Sequence, residues 1–139
     1  MGRQREIMLF NVGGGGINGH GNPLPTSIVD VKIGNAKGFS NIGTQTFFTG
    51  SERSSIHSDK ITIPATFYRR QAFILAKNEQ REWQVFSIIK PENVVEGGKR
   101  NQNLISLVLR EHVNAGLLAQ AINLYEQRLK ERVAVRNGA

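Results

Sequence analysis

Residues 103–133, NLISLVLREHVNAGLLAQAINLYEQRLKERV, combine two hydrophobic periods in one stretch. In the first half apolar side chains alternate with mostly polar ones, which is typical of a β-strand. In the second half apolar residues recur at steps of three and four, which defines one face of an α-helix. Asn114 stands at the change of period, where its side chain can cap the first helical turn. The stretch therefore predicts a final strand followed by a C-terminal helix over residues 114–135.

Further β-prone segments precede this stretch, separated by glycine-rich or polar residues. They are REIMLFNV (5–12), SIVDVKIG (27–34), TQTFFTG (44–50), KITIPATFYRR (60–70), QAFILAK (71–77) and EWQVFSIIKP (82–91). A polar connection is expected at 51–59 and a long glycine-containing loop at 92–102. Because helices do not alternate with these strands, the pattern predicts an α+β fold. Its antiparallel β-sheet has an N-terminal hairpin plus about five strands.

The length of 139 residues fits one domain over 1–139. Within it we expect a strand and a glycine-rich hairpin loop at 1–25, the antiparallel sheet at 26–113 and the C-terminal helix at 114–135. A single helix of this length cannot cover a sheet with so many strands. The remaining apolar surface therefore predicts a dimer or a larger assembly of the chain with itself.

The segment LFNVGGGGINGHGNPLP, residues 9–25, matches the G-x-G-x-x-G fingerprint of dinucleotide sites. That fingerprint requires a following helix, because the free N–H groups at the helix start hold the pyrophosphate. Pro23 and Pro25 leave no room for such a helix. The segment is therefore interpreted as the loop of a hairpin, and no cofactor is expected.

The net charge of +7 is unevenly distributed along the chain. Residues 1–59 contain five Lys or Arg and four acidic residues, whereas residues 60–139 contain thirteen and seven. This excess favours a polyanionic partner such as single-stranded nucleic acid over a small-molecule substrate, although a merely soluble basic surface would give the same composition. No apolar run reaches the length needed to cross a membrane.

Residue types suited to catalysis or to metal binding are sparse. The chain has no cysteine, and His20, His57 and His112 lie far apart in the sequence. No pair of carboxylates and no Ser, His and Asp in a suitable order stand out. The sequence therefore predicts a protein that is not an enzyme, with neither catalytic residues nor a metal site.

Candidate nucleic-acid contacts lie on the polar face of two predicted strands. Alternation through 60–70 and through 103–113 places basic, hydroxyl and aromatic side chains together. These candidates are Lys60, Thr62, Thr66, Tyr68, Arg70, Ser106 and Arg110. Lys and Arg can contact phosphates, whereas Tyr, Thr and Ser can stack on unpaired bases or hydrogen-bond to them. An ordinary solvated strand face would carry similar residues.

Trp83 and Phe86 fall on opposite faces of the strand predicted at 82–91. One of the two rings must therefore face away from the core that holds the other. We interpret Trp83 as a core or interface anchor and not as a platform for base stacking.

The order of elements from Glu6 onward resembles the coat proteins of single-stranded RNA bacteriophages, the levivirus type. The likeness is carried by EQREWQVFSIIKP (79–91), a glycine-containing loop, NQNLISLVLREHV (101–113) and AGLLAQAINLYEQRLKERV (115–133). In that family a short hairpin precedes a five-stranded antiparallel sheet, and helical structure interlocks with a second subunit. The N-terminal MLFNVGGGGINGHG (8–21) would be similar to the hairpin that projects on the outside of the shell.

This resemblance implies a structural capsid protein that assembles into an icosahedral shell. It would be found in the virion and would assemble in the cytoplasm of a host bacterium. Its partners would be further copies of the chain and single-stranded genomic RNA, which would bind to the polar face of the sheet. One helix face of an interlocked dimer would pack over the sheet of the partner, and its residues are Leu118, Ile122, Tyr125 and Leu129.

The alternative is a small oligomeric protein that binds single-stranded nucleic acid. Such a protein would combine a sheet with a helix in the manner of Whirly or positive-cofactor-like domains, and it would not be an enzyme. Both hypotheses predict binding that weakens as the salt concentration rises. They differ in whether the chain forms closed particles.

Overall fold

The computed structural model describes residues 5–14, 19–21, 26–49 and 52–136. Within these ranges the chain forms seven β-strands, one 3-10 turn and one α-helix, which confirms the α+β class. The strands are β1 (Arg5–Gly14), β2 (Thr26–Ala36), β3 (Gly38–Thr49), β4 (Glu52–Pro64), β5 (Phe73–Lys77), β6 (Trp83–Glu96) and β7 (Lys99–Glu111). The 3-10 turn is Ala65–Phe67, and the helix α1 is Ala115–Arg136.

The strands form one antiparallel sheet in the order β2-β1-β5-β6-β7-β4-β3. Strands β2 and β3 stand at opposite ends of this order, yet only Lys37 separates them in the chain. The two ends of the sheet must therefore meet, so the sheet curls into a barrel-like shape. At the meeting point the backbone N–H of Lys37 donates a hydrogen bond of 2.8 Å to the carbonyl oxygen of Thr62.

The inside of the curled sheet is filled by a cluster of buried apolar side chains, which we call the interior cluster. Its largest members are Ile7, Leu9, Ile61, Ile63, Ile74, Phe86, Leu107 and Leu109. Each is at most 1% exposed, and they come from five different strands. Phe67 and Tyr68, at and after the 3-10 turn, pack against the same cluster. Burial of this apolar surface is the main stabilising contribution to the fold.

The helix α1 packs on the outer face of the sheet. Leu117, Ala121 and Tyr125 lie one helical turn apart and are buried against the outward side chains of β1, β5 and β6, among them Met8 and Phe10. Trp83 is half-buried with its ring centroid 4.9 Å from that of Tyr125. Phe86 belongs to the interior cluster, so the predicted opposite orientation of Trp83 and Phe86 is confirmed.

Polar contacts fix both ends of this helix. At the start, the backbone N–H of Leu117 donates to the side-chain oxygen of Asn114 at 3.0 Å, which confirms the predicted cap. Towards the end, the guanidinium of Arg132 donates to the carboxylate of Glu6 on β1 at 2.9 Å. The hydroxyl of Tyr125 also hydrogen-bonds to Glu6. Glu6 therefore joins the helix to the first strand.

Three expectations about strand boundaries are wrong. Residues 51–59 are not only a polar connection, since β4 begins at Glu52 and pairs with β3 along its length. The expected loop at 92–102 is reduced to Gly97 and Gly98, whose φ angles of +58° and +78° suit a tight hairpin turn. The segment 60–70 is not one strand, because β4 ends at Pro64 and a 3-10 turn follows.

Strands β1 and β2 pair as the antiparallel hairpin that the sequence predicts. Positions 1–4, 15–18 and 22–25, which include most of the glycine-rich loop, lie outside the described residues. Strand β1 also pairs with β5, so the hairpin is built into the sheet. The expectation that this hairpin projects on the outside of a shell stays a prediction.

A close contact between Gly34 and Phe67 provides a test of the curled sheet. A Cβ atom at Gly34 would lie 2.6 Å from Cζ of Phe67. We expect Gly34→Ala to lower the free energy of unfolding by about 1–3 kcal/mol, because the ring must move. Urea denaturation measures this change. Gly38→Ala is the matched control, since no atom lies within 4 Å of the position that its methyl group would take, and it should cost less.

The clash of a side chain at position 34 with the ring of Phe67 can also be removed by truncating Phe67. In a Phe67→Ala background, Gly34→Ala should cost little, because the obstructing ring is gone. An equal cost in both backgrounds would contradict the contact.

The raised pKa of Tyr125 predicts that the protein loses stability at alkaline pH. Burial, and then the hydrogen bond with Glu6, raise the pKa of Tyr125 well above its ordinary value of 10.0. Above about pH 10 the unfolded chain loses this proton and the folded chain keeps it, so the free energy of unfolding falls as the pH rises. We expect Tyr125→Phe to make this fall shallower in urea denaturation from pH 8 to pH 11. Tyr68→Phe, whose site lacks the Glu6 partner, should flatten it less.

Candidate nucleic-acid interface

The helix covers the outer sides of β1, β5 and the first part of β6, and a polar area on β4, β7 and the rest of β6 lies beside it. Residues directly opposite each other in neighbouring strands share a face of the sheet. One row across these strands is Lys60, Val108 and Lys90, and the next is Thr62, Ser106 and Glu92. Arg110 begins a third row, opposite Ser87. We call the area formed by Lys60, Thr62, Lys90, Glu92, Ser106 and Arg110 the basic face.

One carboxylate on the basic face is shared by two lysines. The ammonium of Lys60 lies 3.0 Å from the carboxylate of Glu92, and that of Lys90 lies 3.3 Å from it. The hydrogen bond from Lys60 lowers the pKa of Glu92 below its ordinary value, against the opposing effect of partial burial. Two cations and one anion leave a positive charge on this group, and the exposed Arg110 adds another.

The centre of the basic face is tightly packed. Val108, between the two lysines, is 1% exposed, and Ser106 is 6% exposed. The hydroxyl oxygens of Thr62 and Ser106 lie 3.0 Å apart in a mutual hydrogen bond. These hydroxyls therefore lie low between the strands, and the more accessible polar groups around them are those of Lys60, Lys90, Glu92 and Arg110.

The structure brings together four of the seven predicted contact residues, namely Lys60, Thr62, Ser106 and Arg110. It places the other three away from the basic face, which corrects the single strand face expected for all seven. Thr66 is exposed on the 3-10 turn, and Arg70 is exposed after it with a φ of +61°. Tyr68 packs against the interior cluster, and burial raises the pKa of its hydroxyl.

Two residues of the basic face, Lys90 and Glu92, are absent from the set that strand alternation predicts. The register of β6 with β7 shifts between Ile88 and Lys90. A bulge of this kind adds one residue and moves the following side chains to the other face. The signal that could have found them is Pro91, which cannot donate in a regular ladder and often accompanies a bulge.

The residues predicted at a dimer interface have a different use within the chain. Tyr125 is buried on the sheet of its own chain, and Leu118 and Ile122 flank it there half-buried. Trp83 and Glu6 of the same chain contact Tyr125. The expected packing of Leu118, Ile122 and Tyr125 over the sheet of a partner stays a prediction. Leu129 is 37% exposed, and its contact with a second copy stays a prediction.

No protein-family model matches the sequence, and a search of the curated proteins finds no match.

Among the described residues, no group of three or more His, Cys, Asp or Glu side chains could hold a metal ion. No helix in the same part of the chain is long and apolar enough to cross a membrane.

The shared carboxylate leads to a prediction of tighter binding on mutation. Glu92→Gln removes the anion that pairs with Lys60 and Lys90 while it preserves the shape of the side chain. We expect the Kd for a single-stranded oligonucleotide to fall by about twofold to tenfold, since both lysines become available to phosphates. Fluorescence anisotropy with a labelled oligonucleotide measures the change.

Glu126→Gln is the matched control, because it makes the same charge change at an exposed position of the helix. It should alter the Kd less than Glu92→Gln does. Equal effects of the two substitutions would show that only the total charge of the protein matters.

Proposed function

We propose that this chain is a small protein that binds single-stranded nucleic acid on the basic face, with no catalytic step. The observation that carries the proposal is that cations stand in two successive rows across β4, β7 and β6. Successive outward residues of a strand lie about 7 Å apart. Lys60 and Lys90 flank Val108 in one row, and Arg110 stands in the next row along β7. Cations at such intervals can follow the phosphates of an extended strand.

The shape of the surface supports a single strand as the ligand. A sheet face presents a broad platform on which an unpaired strand can lie with its bases reachable from the protein. Affinity would come from phosphate contacts by Lys60, Lys90 and Arg110. Phe73 is the aromatic residue in the row of Arg110 and Ser87, where a base would meet a ring.

Two features favour the small binding protein over the coat protein. The apolar face of α1 is used within the chain, and β1 is paired on both sides inside the sheet. A coat protein of the levivirus type would instead interlock its helices with a partner. The proposed function therefore needs no second subunit to complete the fold.

A capsid protein remains the second candidate. Apart from the order of elements, it is favoured by exposed apolar side chains before the start of α1 and near its end. Val113 is 86% exposed and Val133 is 51% exposed, which are positions where copies of the chain could meet. In that case the protein would be part of a virion and the basic face would line the inside of the shell.

Salt dependence tests the proposed contacts. Each phosphate contact on a single strand adds about 0.7 to the slope of log affinity against log salt concentration. We expect Lys90→Ala with Arg110→Ala to reduce this slope by about 1.4 for an oligo(dT) or oligo(U) strand. Lys130→Ala with Arg128→Ala, two exposed residues of the helix, is the matched control. An unchanged slope in the first double variant would place the binding surface elsewhere.

Particle formation separates the two candidates. Expression of the chain followed by negative-stain electron microscopy and size-exclusion chromatography should give small uniform species. Closed shells would favour the capsid protein instead.

A further inference from the structure

Two cavities lie side by side where β7 leads into α1. One is lined by Val12, Phe73, His112, Asn114, Leu117 and Gln120, among others, and has a volume of about 300 Å³. The other has a similar volume of about 300 Å³, and Trp83, Val85, Glu111 and Leu118 belong to its walls. His112 and Asn114 line both cavities. Volumes of this size are at the lower end of the range for small-molecule sites.

Aromatic rings line both cavities: Phe73 and His112 in the first, Trp83 and His112 in the second. The rings of Phe73 and Phe10 are stacked, with centroids 5.6 Å apart. The rings of Phe73 and His112 are arranged edge to face, with centroids 5.2 Å apart. Trp83 lines the second cavity, and the ammonium of Lys77 lies 5.1 Å from the centre of its ring. The site therefore combines apolar ring surfaces with imidazole and amide groups, which is the composition that suits a flat heterocyclic ligand.

The cavities continue the basic face. Phe73 lies opposite Ser87, and Ser87 lies opposite Arg110, so these three side chains form one row on the outer face of the sheet. His112 follows two positions after Arg110, which is about 7 Å along an extended chain. Its position is fixed, because its backbone N–H donates to the carbonyl oxygen of Val85 at 2.9 Å. A ligand that places an anion at Arg110 can therefore reach the cavities with an adjoining ring.

We propose that these cavities bind one nucleobase of the single strand that lies on the basic face. In this arrangement a phosphate contacts Arg110, the attached base enters beside His112, and the rings of Phe73 and His112 form its walls. The inference rests on the proposed function and adds to it a site that reads a base. The protein would hold the base of the nucleotide beside Arg110, whereas it would contact the other nucleotides of the bound oligonucleotide through their phosphates only.

An oligonucleotide that lacks its bases tests the inference directly. An abasic oligonucleotide keeps the phosphates and sugars of oligo(dT) but has nothing to place in the cavities. We expect the wild-type protein to bind the abasic strand about tenfold more weakly, which is the effect of losing one stacked base. In His112→Ala this difference should shrink to about twofold or less, whereas His57→Ala, a histidine on β4 away from the cavities, should keep it.

The intrinsic fluorescence of Trp83 gives a second readout that needs no variant. Trp83 is the only tryptophan of the chain, and it lines one of the cavities. Titration of the wild-type protein with oligo(dT) should change its emission, and titration with the abasic strand should not. This measurement stands even if His112→Ala fails to fold, which circular dichroism would reveal.

The outcomes separate the inference from the proposed function. Equal affinity of the wild-type protein for both strands, with an unchanged Trp83 emission, would overturn the base site and leave binding on the basic face intact. An equal base preference in His112→Ala and in the wild type would also overturn it. Failure of both strands to bind would overturn the proposed function and the base site together.

Discussion

The architecture depends on the single residue, Lys37, that joins β2 to β3. These strands stand at the two ends of the sheet order, so a link this short forces the sheet to curl until its ends meet. The curl creates an enclosed inner face, which the interior cluster fills with branched and aromatic side chains. The ring of Phe67 can then lie over Gly34 on β2. A residue with a side chain at position 34 would clash with this ring. Only the outer face remains for the helix and for a ligand.

That outer face is divided between two uses. The side chains of β1 and β5 are apolar and are covered by α1, and Glu6 fixes the helix there through Tyr125 and Arg132. The side chains of β4 and β7 are polar on the same face and remain beside the helix. The division follows from the width of one helix, about 10 Å, which covers only a few neighbouring strands. A stabilising surface and a candidate binding surface therefore share one face, and His112 stands at the boundary between them.

Periodicity and capping predicted the elements with the strongest local signals. The helix begins after Asn114 as expected, because a capping side chain and a change of period coincide there. Strand β4 was in part missed, because Ser and His at 54–58 lack an apolar alternation and are held by pairing with β3. The order of strands could not be derived either, since it depends on contacts such as that of β1 with β5, which are far apart in the sequence.

The candidate site was predicted only where the alternation of a single strand held. Thr62 and Ser106 pair across β4 and β7 as regular ladders require. Alternation does not predict the face of residues after Pro64, because the chain turns there. It also does not predict the face of Lys90 and Glu92, because the preceding bulge moves the following side chains to the opposite face of the sheet. The buried stripe of the helix is centred on Ala121, a residue too small to stand out in a hydrophobic pattern. Local rules therefore identified which residue types lie on the face, and tertiary contacts determined which of them meet.

The junction of Arg132 with Glu6 spans 126 positions of sequence. On a translating ribosome, β1 and β2 emerge first and can pair as a hairpin, but the outward side chains Met8 and Phe10 have no cover until α1 has been synthesised. Contacts over such separations form slowly, and exposed apolar strands associate with other chains in the meantime. The outward apolar side chains of β1 therefore lack the cover of α1 while β2 to β7 are synthesised.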